Sequence, residues 1–196
     1  TLNGCNGIPS NFTITINPTP IISPVTNATA CHNQTVSSVT PVVVPGSATV
    51  SWSNNNTSIG LGASGTGTIP SFTATNAGST IVTSTITLNA TAAGCNAVPV
   101  TYTITVNPLP STTITPGPSL NLCTGDSIIL HAPIVAGNTY QWYQGGVLLP
   151  GETKDSLKVL TGATFTVKIT NSFGCIDSSS GVVVTQYALP TVSISP

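Results

Sequence analysis

Residues 94–110 read GCNAVPVTYTITVNPLP, and this stretch decides the fold because it occurs twice in the chain. Residues 4–20 read GCNGIPSNFTITINPTP, so the two copies share Gly-Cys-Asn, Thr-Ile-Thr, Asn-Pro and two further prolines at a constant shift of 90 residues. Val98 to Val106 alternates apolar and polar residues with the period of a half-buried β-strand. A strand duplicated at this spacing is typical of a repeat protein. We therefore expect one module to end at each copy.

The same alternation recurs along the rest of the chain, with turn residues about every ten positions. The predicted strands are 49–53, 69–75, 81–88 and 98–106 in the first half, and 127–131, 139–144, 156–160, 164–170 and 182–187 in the second. Gly145-Gly146 predicts a hairpin turn, and no helical period lies between the strands. The predicted fold class is all-β, with β-sandwich domains in tandem.

Proline-rich segments divide the chain into modules. Pro18-Thr19-Pro20, Pro108-Leu109-Pro110 and Leu189-Pro190 each follow a predicted strand. Proline fixes φ and lacks an N–H, so these segments end strands and stiffen junctions. The expected parts are the terminal strand of a preceding module (1–17), a first sandwich (18–107), a second sandwich (108–188) and the first strand of a following module (189–196).

The composition excludes several functions. Only 4% of the 196 residues are charged, and the net charge is -1. Binding to nucleic acid or to an anionic membrane surface needs clustered lysine and arginine, which this chain lacks. The 39% of hydrophobic residues excludes a disordered chain. No apolar run approaches the roughly 18 residues that span a bilayer.

Groups for catalysis are scarce. Residues 1–122 contain no Asp, Glu, Lys or Arg. The best catalytic set is Asp126, His131, Asp155 and Asp177 in the second half, and each of them reads more simply as a turn carboxylate or a strand-end histidine. We therefore expect the chain not to be an enzyme and to bind no cofactor. We also expect no metal site, because Cys-x-x-Cys is absent and only His32 adjoins a cysteine.

The five cysteines predict disulfides and export to an oxidising compartment. Cys31 with Cys95, and Cys123 with Cys175, are the only pairs available within a module. Cys5 is equivalent to Cys95 in the duplicated stretch. It is therefore expected to be unpaired in this fragment, with its partner upstream.

The aromatic residues have two interpretations. Trp52 and Trp142 each fall in a mid-module strand, where one tryptophan per sandwich usually fills the core. A sugar-binding face needs several aromatics on one surface, and the candidate glycan contacts are Tyr140 and Tyr143.

Module one resembles the PKD-like repeats of giant cell-surface adhesins of Bacteroidota, of the SprB type used in gliding motility. The resemblance covers nearly all of residues 1–110, and it is carried by the segments that begin Val50-Ser-Trp-Ser, Gly65-Thr-Gly-Thr and Ile86-Thr-Leu-Asn. It departs from ordinary PKD domains at Asn54-Asn55-Asn56, where an acidic turn would stand. Module two, with Cys123-Thr-Gly-Asp and Tyr140-Gln-Trp-Tyr, looks like the bacterial Ig-like domains of the same adhesins. The resemblance implies export by the type IX secretion system and a location at the cell surface, associated with the outer membrane.

These observations predict a stalk segment of a secreted adhesin for gliding and surface attachment. Its partners would be the neighbouring repeat modules, surface polysaccharide or substratum, and by resemblance the secretion and gliding machinery. The alternative is a glycan-binding or accessory module of a secreted polysaccharide-degrading enzyme. Asp155-Ser156-Leu157 resembles the O-glycosylation pattern of Bacteroidota, and Ser156 is preferred to Ser127, which is expected to start a strand.

Overall fold

The computed structural model describes residues 3, 8 and 10–191. The first ten strands are β1 (Ile21–Ile22), β2 (Ala28–Cys31), β3 (Thr35–Val36), β4 (Val43–Val44), β5 (Thr49–Asn54), β6 (Ser64–Thr66), β7 (Phe72–Thr73), β8 (Val82–Ala92), β9 (Cys95–Asn96) and β10 (Val100–Asn107). A single 3₁₀ turn, Thr57–Ile59, lies between β5 and β6. The remaining strands are β11 (Ser119–Cys123), β12 (Ile128–His131), β13 (Thr139–Gln144), β14 (Val147–Leu148), β15 (Ser156–Val159), β16 (Ala163–Thr170), β17 (Ile176–Ser178) and β18 (Val182–Tyr187).

Strands β1–β10 form the first sandwich. Its larger sheet has the order β2-β10-β8-β5-β6, with β9 paired to β8. The short pairs β1-β4 and β3-β7 form the opposite layer. All pairs are antiparallel except β2 with β10, which run parallel with Cys31 opposite Asn107.

Strands β11–β18 form the second sandwich with the same arrangement. Its larger sheet has the order β11-β18-β16-β13-β14, with β17 paired to β16, and β12-β15 lies in the other layer. Here too the sheet's first and last strands along the chain, β11 and β18, run parallel, with Cys123 opposite Tyr187. The sequence suggested two types of module, yet the two sandwiches share one strand order. The fold is therefore all-β, a tandem of Ig-like β-sandwiches.

Each sandwich has its own hydrophobic core. Strict alternation along β8 and β10 turns Ile86, Leu88, Ile104 and Val106 inward, and all four are buried. Trp52 is buried in this first core. Trp142 is fully buried in the second core. Strand pairing thus orients one face of each sheet towards a separate apolar interior.

The structure differs from the predicted strands at two places. The alternating segment 69–75 contributes only the strand Phe72–Thr73, since Pro70 cannot donate a ladder hydrogen bond. The structure also contains β11, which the alternation did not predict and which ends at Cys123.

The described residues of the first copy of the duplicated stretch, 8 and 10–20, form no strand. Phe12, Ile14 and Ile16 of this copy are exposed. Their repeat equivalents Tyr102, Ile104 and Val106 lie in the first core. That residues 1–17 end a preceding module stays a prediction, as does a following strand at 189–196, of which residues 192–196 lie outside the described part. No helix in the described ranges is long and apolar enough to cross a bilayer.

Candidate functional site: the junction between the sandwiches

The linker between the sandwiches is short, and its N-terminal half is largely buried. Only seven residues separate Val106 in the first core from Ile114 in the second. Asn107, Pro108 and Pro110 of this linker are buried. A partly buried, proline-containing linker has few accessible conformations, so it holds the sandwiches close together.

A disulfide crosses the junction. Cys31, at the end of β2, is bonded to Cys175, just before β17, with a Cα–Cα distance of 5.6 Å and a sequence separation of 144 residues. Both cysteines are buried. The bond therefore joins the first sandwich covalently to the second.

The disulfide pairing within modules was wrong. Cys31 lies opposite Asn107, beside the beginning of β8, whereas Cys95 lies opposite Ala92 at its end. Ten residue steps along β8 correspond to about 30 Å, and a disulfide needs Cα atoms within about 7 Å.

The predicted pair in the second sandwich fails for the same reason. Cys123 lies beyond the beginning of β16 and Cys175 beyond its end, so the length of β16 separates them. Cys95 and Cys123 are free thiols, the first half-buried and the second exposed. Cys5, expected to be unpaired, lies outside the described residues.

Polar groups order the first-sandwich side of the junction. The backbone N–H of His32 donates to the Asn107 carbonyl at 2.9 Å, and its Nδ1 accepts from the Asn76 N–H at 2.9 Å. The buried Asn76 amide donates to the carbonyls of Thr80 and Val106, both at 2.8 Å. These contacts fix the loop that follows Cys31 against the end of the first sheet.

Asn171 does the same on the second-sandwich side. Its Oδ1 accepts from the backbone N–H groups of Phe173 and Cys175 at 3.1 and 3.0 Å, which shapes the turn that carries the disulfide. Its Nδ2 donates across the junction to the Pro108 carbonyl at 2.9 Å. One side chain therefore links the linker to the cysteine turn.

The role of these residues could not be predicted from the sequence. Asparagine in a β-rich chain is normally read as a turn or surface residue, and the pattern does not separate Asn76, Asn107 and Asn171 from the other asparagines. The stretch Asn54-Asn55-Asn56, where the sequence departs from ordinary PKD domains, forms a second hydrogen-bond network. The buried Asn54 amide donates to the carbonyls of Leu61 and Gly62, and its Oδ1 accepts from Ser84.

The candidate glycan contacts do not form one surface. Tyr140 and Tyr143 are three residues apart on β13, so their side chains lie on opposite faces of the sheet. Tyr140 packs against the second core and donates its hydroxyl to the Pro133 carbonyl at 2.9 Å. The structure therefore does not bring the two rings together as a stacking platform.

The two candidate glycosylation sites differ in exposure. Ser156 is the first residue of β15, half-buried and paired with His131. Ser127 precedes β12 and is exposed. Modification of Ser156 stays a prediction, although a transferase would meet Ser127 more readily.

The acidic residues and the histidine of the predicted catalytic set do not come together as one group, although Asp155 directly precedes Ser156, which pairs with His131. Asp126 follows β11, His131 ends β12 and Asp177 lies on β17 of the larger sheet. In the described part of the chain, no three His, Cys, Asp or Glu residues lie together in a way that could hold a metal ion.

The first sandwich contains an ionisable group whose pKa is shifted. Burial raises the pKa of the Tyr102 phenol above its ordinary value, and its hydroxyl has no hydrogen-bond partner.

Solved structures of tandem immunoglobulin domains are similar to this chain. The N-terminal eight Ig domains of Down Syndrome Cell Adhesion Molecule match with a TM-score of 0.56 and 13% identity, over 87% of this chain and 24% of that one. The I67–I69 fragment of the titin I-band matches with a TM-score of 0.49 and 10% identity, over 88% and 67%. Sidekick-1 Ig domains 1–4 match with a TM-score of 0.41 and 18% identity, over 86% of this chain and 48% of that one. The likeness to Down Syndrome Cell Adhesion Molecule, at a TM-score of 0.56, shows the fold alone. No protein-family model and no curated protein matches the sequence.

Proposed function

We propose that this chain is a structural stalk segment of a secreted cell-surface adhesin. The observation that carries the proposal is the junction, where a partly buried linker, a disulfide and the hydrogen bond from Asn171 hold two consecutive sandwiches together. A spacer must transmit force and keep its length, and a stapled junction serves both needs. The sequence resemblance adds the finer proposal that the parent adhesin acts in gliding motility and surface attachment after type IX secretion.

Two separate cores support the proposed division into modules. The first core ends at Val106 and the second begins at Ile114. We retain the boundaries 18–107 and 108–188 on this basis. Neighbouring modules of the same parent are the first partners that such a segment would contact.

The disulfide changes the path of a pulling force. When the chain is pulled from its ends, the load passes from Cys31 directly to Cys175 and bypasses the residues between them. Both cores lie mainly within that bypassed segment. The oxidised chain should therefore extend only through its short ends.

Single-molecule stretching with and without reductant tests the stalk. Reduction should release the hidden segment of 144 residues, which adds about 500 Å of contour length at roughly 3.4 Å per residue. Cys31→Ser should show this extension without reductant, whereas Cys123→Ser should behave as the parent chain. Full extension of both sandwiches in the oxidised parent chain would contradict the proposal.

A replacement experiment in the native host tests the adhesin role. Residues 18–188 are replaced by two unrelated Ig-like sandwiches of equal length, and surface attachment and gliding speed are measured. If the segment is a spacer, the replacement strain should keep its surface attachment and gliding speed, whereas deletion of the segment should reduce both. Loss of attachment in the replacement strain would instead indicate a specific ligand on these sandwiches.

A further inference from the structure

Cys31 and Cys123 occupy equivalent positions in the two sandwiches. Each ends a strand that runs parallel to the last strand of its sheet, opposite Asn107 and Tyr187 respectively. In each sandwich the next residue donates its N–H to the carbonyl of that opposite residue at 2.9 Å. Each cysteine carbonyl also accepts from the N–H three residues later at 3.0 Å. The two cysteines therefore have the same backbone surroundings.

Cys95 and Cys175 are equivalent in the same way. Each directly follows a glycine with positive φ, 81° at Gly94 and 77° at Gly174. Each lies in the hairpin that joins the corresponding strands, β8 to β9 and β16 to β17. Cys123 is therefore the counterpart of Cys31, and Cys95 is the counterpart of Cys175. The two free thiols occupy, in the other sandwich, the same positions as the two bonded cysteines.

The linker before the first sandwich supports this equivalence. Asn17 corresponds to Asn107 in the duplicated stretch. Its side chain donates to the Ala93 carbonyl at 3.1 Å, and Cys95 Sγ lies 3.8 Å from the Asn17 carbonyl oxygen. At the occupied junction, Asn107 stands beside Cys31, the partner of Cys175. Cys95 therefore lies next to the place where a cysteine equivalent to Cys31 would stand.

The surface around Cys123 matches an open junction. Tyr187 is 53% exposed and Leu189 is 61% exposed. Their equivalents at the occupied junction, Asn107 and Leu109, are buried and half-buried. Another sandwich on this end would cover the same positions.

We propose that Cys95 and Cys123 are half-sites for disulfides to neighbouring sandwiches of the same type. Cys95 takes a cysteine that ends the strand parallel to the last strand of a sandwich on its N-terminal side. Cys123 takes a Gly-Cys hairpin cysteine from a sandwich on its C-terminal side. Every junction of the array is then stapled as Cys31–Cys175 is. The inference deepens the proposed stalk function and rests on it.

The bond forms by thiol–disulfide exchange. The two cysteine thiols lose two protons and two electrons in total, and a small-molecule disulfide such as oxidised glutathione accepts them and becomes two thiols. The thiolate of the exposed Cys123 attacks the oxidant first. This attack releases one glutathione thiolate and leaves the other glutathione bonded to Cys123. The thiolate of the neighbouring module's cysteine then attacks the Cys123 sulfur of this mixed disulfide and displaces the second glutathione thiolate.

A duplicated chain tests the proposal. Residues 1–190 are joined directly to residues 21–196, so that Leu189-Pro190 takes the place of Thr19-Pro20, and Cys5→Ser removes the fifth thiol. After folding with oxidised and reduced glutathione, peptide mapping should find Cys31–Cys175 in both copies and a new bond from Cys123 of the first copy to Cys95 of the second. In the single chain, a maleimide should label Cys95 and Cys123 but not the bonded pair.

A matched variant makes the result specific. With Cys123→Ser in the first copy, Cys95 of the second copy should regain maleimide labelling while Cys31–Cys175 persists. If Cys123 of the first copy stays fully labelled in the oxidised duplicated chain, or bonds a different cysteine, the half-site proposal is overturned and the stalk stands. If Cys31–Cys175 itself is missing throughout, both proposals fail.

Discussion

Cys31 and Cys175 are bonded across the junction although 144 residues separate them in the chain. The bond lies between two sandwiches rather than within one, so it contributes to their relative position as well as to stability. Its loss should affect both properties.

Cys31→Ser should lower the stability of the whole chain. Closing a loop of this length stabilises a protein by about 5 kcal/mol in the chain-entropy model. Thermal unfolding followed by circular dichroism should show a lower midpoint for the variant under oxidising conditions and no difference under reductant. Cys123→Ser, which removes an exposed free thiol, is the control and should unfold like the parent. An unchanged midpoint for Cys31→Ser would show that the disulfide is not formed.

Asn171→Ala should expose the disulfide to reduction. The side chain orders the turn at Cys175 and bonds the Pro108 carbonyl. Loss of about 1 kcal/mol of net hydrogen bonding should speed reduction by dithiothreitol roughly fivefold, measured by thiol labelling over time. Asn121→Ala, at an exposed position of β11, should leave the rate unchanged. Equal rates in both variants would contradict this role of Asn171.

Gly65→Ala should destabilise the first sandwich. A Cβ at Gly65 would lie 2.5 Å from the Trp52 ring, which is held in the core. Overpacking of this kind costs about 1–3 kcal/mol, measurable by urea unfolding monitored through tryptophan fluorescence. Gly62→Ala meets nothing within 4 Å and is the matched control. Equal stability of both variants would mean that Trp52 can move aside.

Tyr102→Phe should change the response of stability to high pH. Burial raises the pKa of Tyr102 in the folded chain above the value of about 10 in the unfolded chain. The folded state therefore holds its proton longer, and stability is retained below pH 10 and falls as the pH rises through the folded-state pKa. In the variant, the free energy of unfolding should fall less steeply between pH 8 and pH 11 than in the parent chain. Its stability at pH 7 should be equal or higher by about 1 kcal/mol, since an unpaired buried hydroxyl is removed.

Much of the fold could be predicted from the alternation of apolar residues. Segments 139–144, 164–170 and 182–187 form β13, β16 and β18 nearly as expected, because period-2 burial follows directly from the geometry of a strand. The strands that the pattern missed, such as β2 and β9, are short or lie at a sheet edge. Neighbouring strands define them more than their own sequence does.

The sequence by itself determined that this chain is all-β, repetitive, low in charge and built from strands of fixed period, since local alternation and proline positions are properties of the residues. Only the tertiary structure decided which cysteines meet. Cys31 and Cys95 belong to one module, but strand direction places them at opposite ends of β8. The same arrangement brings Cys31 to the next sandwich, because a disulfide depends on distance in space and the order of strands in a sheet is set by long-range packing.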